Sequence, residues 1–306
     1  MPSFNTVRRI YCMDGNTIAS IGDDFKKEDG QFEYFDFAYL RNENISIGAR
    51  AFQNCAMLQS SVLPDPSGTI DIKTSAFDGC EKLSISYLPS QLMILENYVF
   101  RSCRGITSFS FKNSPNLTKI GSNCFRDCAN LQLIDNSLNN LSIISDYAFR
   151  GCEKLNAIID NTSKITEIGG NAFEASTVTL NALPDNIKKI QADGFAFIDS
   201  SSRICQIGFI PNTITKIGDR AFSGLTFDVD EVVFEDGITL VKPANDPNAK
   251  DIDYGMGSSA FSGAKIEAIR LPSTAIITEE PWATGLATSW NATTSNGYTK
   301  TPIIFD

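Results

Sequence analysis

The 306-residue chain contains no histidine. That removes Ser-His-Asp and Cys-His catalytic machinery, histidine metal sites and the usual neutral-pH general base. Basic residues are the minority: 26 Lys and Arg stand against 36 Asp and Glu, for a net charge of −10. An acidic chain repels phosphate backbones, so no nucleic-acid partner and no anionic-membrane partner is expected. There is no run of five like charges, no stretch of 18 apolar residues and no Walker-type glycine-rich loop, so a charged tail, a transmembrane helix and a nucleotide cradle are not expected. The first residues carry Arg8 and Arg9 but no apolar segment after them, which does not read as a secretory signal. No cofactor is implied.

What is present is a period. An aliphatic residue, four variable residues and a Phe recur as Ile47–Phe52, Ile72–Phe77, Leu95–Phe100, Ile120–Phe125, Ile144–Phe149, Ile168–Phe173, Ile190–Phe195, Ile217–Phe222 and, more weakly, Met256–Phe261. Seven of the eight Phe-to-Phe steps lie between 22 and 27 residues. Other positions keep the phase. Ala precedes most of these Phe residues. Cys55, Cys80, Cys103, Cys128 and Cys152 follow three later, and Leu58, Leu83, Ile106, Leu131 and Leu155 three later again. A unit of about 24 residues cannot enclose its own apolar side chains, whereas stacked units can. The expected fold is therefore a repeat solenoid of leucine-rich-repeat type with about nine coils. It is mostly β, with short helical or irregular turns and one short strand per coil in a parallel sheet. Each strand is placed after the Leu, from Leu58–Leu63 through Ile266–Leu271. Gly48, Gly121, Gly169 and Gly218 are expected at corners that need unusual backbone angles.

The segments IGARAFQNCAML, IGSNCFRDCANL, ISDYAFRGCEKL and IGDRAFSGL resemble the BspA-like leucine-rich repeat over roughly residues 45–272. The resemblance implies a solenoid that acts as a non-catalytic protein-binding or adhesion module at a cell surface or after secretion. It weakens after Phe173, where Ser176, Ile198 and Leu225 replace the Cys, and again between Phe222 and Phe261. Residues 1–44 are expected to cap the amino-terminal end, and 273–306, with Trp282 and Trp290, the carboxy-terminal end. An insertion near 237–257 is either a functional loop or a tolerated excursion.

The cysteine column is expected to be a ladder of buried thiols, since spacings near 24 suit no zinc site. Asp251-x-Asp253-x-Gly255 lacks the rest of a calcium loop and reads as an acidic turn. The Asn-x-Ser/Thr triplets beginning at Asn44, Asn116, Asn140, Asn161 and Asn291 read as turns unless the chain passes through a eukaryotic secretory route. Outward-facing strand positions are the candidate ligand-binding residues: Val62, Tyr87, Ser110, Asp135, Ile159, Glu231 and Arg270. The partner would be another protein or a surface glycan, without membrane insertion. Assembly of copies through the carboxy-terminal segment, as in a virion or surface layer, is the alternative. A carboxylate pair at Asp135 and Asp160 is the weakest reading.

Overall fold

The computed structural model describes residues 8–10, 19–37, 40, 42–60, 62–135, 138, 140–196, 204–240, 255–257, 260–264, 266, 268–272 and 303–305. Most of the insertion and of the expected carboxy-terminal cap lies outside them. The chain divides into two compact units, residues 1–141 with 147–157 and residues 142–146 with 158–306. Each is a parallel β-solenoid, and no α-helix occurs among the described residues.

In the first unit Ser20–Ile21, Ile45–Ile47 and Ile70–Ile72 form one parallel ladder, with Ile21, Ile47 and Ile72 in register. Ile94–Leu95 pairs in the same way with Lys119–Ile120. In the second unit Ile143–Ile144, Glu167–Ile168, Lys189–Ile190, Lys216–Ile217 and Gly255–Met256 form a ladder. These strands lie before the Ala-Phe segment, where none was expected. Most are two residues long, one side chain in and one out, which is too short to leave an alternating pattern in a sequence.

The strands after the Leu form further ladders. Ser108–Phe109 pairs with Gln132–Leu133, and Ile204–Cys205 with Thr226–Phe227, while Phe209–Ile210, Glu231–Phe234 and Ala268–Leu271 pair in a separate ladder. A coil therefore carries two strands, as Ile94–Leu95 and Ser108–Phe109, or three, as Lys189–Ile190, Ile204–Cys205 and Phe209–Ile210, rather than one. Arg9–Ile10 pairs with Tyr34–Phe35, so strand pairing runs into the expected cap.

The repeated phenylalanines lie above one another. In the first unit the ring centroids of Phe52, Phe77, Phe100, Phe125 and Phe149 are 5.5, 5.7, 5.5 and 5.5 Å apart in sequence. Phe173, Phe195, Phe222 and Phe261 repeat the stack in the second unit, at 5.7, 5.9 and 4.9 Å. The rings are near parallel, and all but Phe261 are wholly buried. Offset stacking adds to the apolar burial that holds coil to coil. In the coil beginning at Ile21, Lys26 takes the place of the Phe. Its Nζ lies 3.2 Å from Asp29 and 4.9 Å from the Phe32 ring centroid.

The Ala-Phe turn is irregular for a definite reason. Two residues before the Phe and two after it the backbone is left-handed, as at Arg50 and Asn54, Ser75 and Gly79, Tyr98 and Ser102, and Tyr147 and Gly151. A helix cannot pass through such residues. The chain instead forms successive four-residue turns, Gln53 N–H to the Arg50 carbonyl at 3.1 Å and Cys55 N–H to that of Phe52 at 3.0 Å. The remaining N–H groups point to the next coil: Arg50 to Thr74, Phe52 to Ala76 and Asn54 to Asp78, at 2.7–3.0 Å. These bonds offset the strain of about 1–2 kcal/mol per left-handed residue.

Each column cysteine donates its S–H to a carbonyl one coil back. Cys80, Cys103, Cys128 and Cys152 reach the carbonyls of Phe52, Phe77, Phe100 and Phe125 at 3.0–3.1 Å. The Phe52 oxygen thus accepts both from Cys55 N–H and from Cys80 Sγ, and neither lone pair is left bare in the core. All seven described cysteines are free and buried. Ser176, which replaces the Cys, turns to the carbonyl of Phe173 in its own coil at 2.7 Å.

The glycines after the Ile have a different role from the one expected. Gly48, Gly121, Gly169, Gly218 and Gly257 are not left-handed; a Cβ at each would lie 2.3–2.6 Å from backbone atoms of the preceding coil. The close approach lets a side chain clasp the next coil's backbone. Asp23 accepts from Ala49 N–H at 2.7 Å, Asn97 from Ser122 N–H at 2.8 Å and Asp146 from Gly170 N–H at 2.6 Å. Where Glu96 stands at the glycine position, its carboxylate reaches back to Thr74 N–H at 2.7 Å.

Candidate interaction surface

The outward positions of the ladders after the Leu are the chemically varied part of the molecule. Val62 is 45% exposed, and Tyr87, Ser110, Asp135, Glu231 and Arg270 are half-buried. Ile159 does not belong with them, because it is wholly buried. The cause is a change of register. Ser108, two residues past Ile106, stands opposite Gln132, one residue past Leu131. A shift of one residue exchanges the two faces of a strand. Leu133 accordingly points inward and Ile134 is 67% exposed. The strand Ala157–Ile159 has the same phase, with Ala157 and Ile159 inside and Ile158 partly exposed.

Several candidates are brought together. Tyr87 bridges to Ser110, whose hydroxyl donates to Asp135 at 2.8 Å. Arg270 grips Glu231 through two bonds, Nε at 3.1 Å and Nη2 at 2.9 Å. That guanidinium holds the Glu231 carboxyl below its ordinary range. Asp160 accepts from the Thr162 hydroxyl and N–H in a local turn. Among the described residues no group of three or more His, Cys, Asp or Glu is placed to hold a metal ion.

The sequence reading missed one row. Phe209, Val233 and Arg270 are register partners on three adjacent strands. Phe209 is 49% exposed, on the strand flanking Glu231–Phe234 opposite the one that carries Arg270. The signal was the doublet Phe209-Ile210: two large apolar neighbours in a strand cannot both face the core. Ile210 is inside and Phe209 is out.

The family model for the BspA-type leucine-rich repeat region matches residues 25–137 and 118–244, in six copies. The chain belongs to the BspA-type leucine-rich repeat family. The family and its solenoid fold are typically non-catalytic. Among solved structures the chain is similar to a leucine-rich repeat protein from Bacteroides ovatus, at 18% identity over 75% of this chain and 60% of that one, with a TM-score of 0.40. It is also similar to a leucine-rich cell surface protein from Faecalibacterium prausnitzii, at 17% identity over 84% of this chain and 72% of that one, with a TM-score of 0.34. The chain thus spans 60% of the length of the first. No curated protein matches it. Among the described residues no helix is long and apolar enough to cross a membrane.

Proposed function

We propose that this BspA-type chain is a non-catalytic adhesion or recognition module that presents the outward rows of the ladders after its Leu positions to another protein at a cell surface. The supporting observation is the row Phe209–Val233–Arg270, with an exposed ring and an arginine oriented by Glu231. Aromatic and arginine side chains dominate protein-protein hot spots. A rigid ladder presents them with little ordering cost on binding. The surface setting rests on the family resemblance.

Beads coated with the chain should adhere to cultured animal cells. Phe209→Ala should weaken the interaction about ten-fold, as loss of a hot-spot residue does. Its ring already stands half outside, so the melting temperature should change little. Bare beads binding as well as coated ones, or full adhesion by both Phe209→Ala and Arg270→Ala, would count against the reading.

A further inference from the structure

The strand pairing after the Leu is interrupted in the first unit. Tyr34–Phe35 is paired on one side of the interruption and Tyr87 bridges to Ser110 on the other. Between them the described residues of 59–63 carry no strand. Ser60 accounts for the break. Its hydroxyl donates to the Val62 carbonyl at 2.9 Å and accepts from Val62 N–H at 3.4 Å, so the chain bends onto itself. The coil stays anchored by Gln59 N–H on the Glu33 carbonyl and Ser84 N–H on that of Ser60, at 2.9 and 3.0 Å.

The bend leaves a groove of about 400 Å³. Phe35 and Phe37, both buried, form its base, and Tyr34 and Val62 add apolar wall. Asp36, Gln59 and Ser84 bring a carboxylate, a carboxamide and a hydroxyl to it. The volume is in the range of small-ligand sites. Among the described residues no Lys or Arg lines it, so the described wall offers an anion no cationic partner. The backbone bonds at Gln59 and Ser84 are already made within the chain, so an added peptide strand finds little ladder to extend.

We propose that this groove binds one or two residues of a neutral saccharide. A pyranose has an apolar C–H face, which suits Tyr34 and Val62. Its ring of hydroxyls suits Asp36, Gln59 and Ser84, which together offer both acceptors and donors. The site is a specific case of the binding-surface reading and rests on it, but it lies apart in sequence from the Phe209 row and can be tested alone.

The intact chain should bind one or more members of an array of neutral glycans, and a soluble disaccharide from the positive class should give saturation-transfer signals in NMR. Ser84→Trp, which fills the groove, and Gln59→Ala, which removes a polar partner without adding bulk, should each weaken that binding at least ten-fold with an unchanged melting temperature. If Ser84→Trp does not fold, Gln59→Ala decides alone. No binding to any neutral glycan, or binding that survives the variant, overturns the assignment. So does an uncharged peptide that occupies the groove when no saccharide does. Cell adhesion that persists with a silent array would remove the saccharide site and leave the Phe209 surface standing.

Discussion

The folded chain should lose about 10 kcal/mol of stability between pH 8 and pH 10, measured by guanidinium unfolding across that range. Burial pushes the thiols of Cys55, Cys128 and Cys205 up to about 12 from an ordinary value of 9.0. Cys80, Cys103, Cys124 and Cys152, wholly buried, are raised as well by the same cause. An unfolded chain therefore releases these protons first. The stabilisation is complete below pH 9 and is lost as the pH rises from there toward the folded values. At one unit above the unfolded value each thiol contributes about 1.4 kcal/mol to the loss. Seven such thiols give the total, which is comparable to the whole stability of an ordinary domain. Cys80→Ala with Cys103→Ala should lower the starting stability but flatten the alkaline fall by about two sevenths. Equal unfolding midpoints at pH 8 and pH 10 would show that the thiols ionise freely in the folded chain.

Alanine at Gly169 or Gly218 should destabilise the chain by about 3 kcal/mol, at the upper end for overpacking. The added Cβ meets backbone of the preceding coil at 2.4 Å for Gly169 and 2.3 Å for Gly218. Backbone cannot rotate aside as a side chain can, so two coils must separate. Gly22 is the internal control. It occupies the same position in the coil beginning at Ile21, and a Cβ there has nothing within 4 Å. Gly22→Ala should be neutral or stabilise by about 0.4–1 kcal/mol, by restricting the unfolded chain. Thermal melting of the three variants checks both signs. Similar melting temperatures for all three would mean that the coils are not held at this separation.

The spine was legible because it uses one large residue at one phase: Phe52, Phe77, Phe100 and Phe125 could be aligned without knowing anything else. The cysteine column was legible for the same reason. Its purpose was not, because a carbonyl one coil away leaves no mark in a sequence. The ladder before the Ala-Phe turn was hidden by its brevity, as at Lys119–Ile120 and Glu167–Ile168. Of the candidate surface, Glu231 and Arg270 could be picked out as outward residues, but the bond between them spans 39 positions and depends on register. Ile159 was misplaced because nothing in Leu131–Asp135 announces that the strand has slipped by one. The groove at Val62 was missed because it arises where a strand fails to form, and periodicity describes only strands that do.

The clasps between coils also limit how such a chain can grow or shrink. A coil with Asp or Asn three residues before its Phe, such as those of Asn97 and Asp146, is followed by one that opens with glycine, Gly121 and Gly169. The Thr74 coil is followed instead by one that opens with Glu96. Neighbours are therefore matched as tongue to slot, and coils are not freely exchangeable. Excising residues 121–144 in frame would bring Ser145 against Asn97, where the chain now has Gly121. Gene duplication or recombination within this chain should accordingly be tolerated in blocks whose outer edges fit, and not at every period of the repeat.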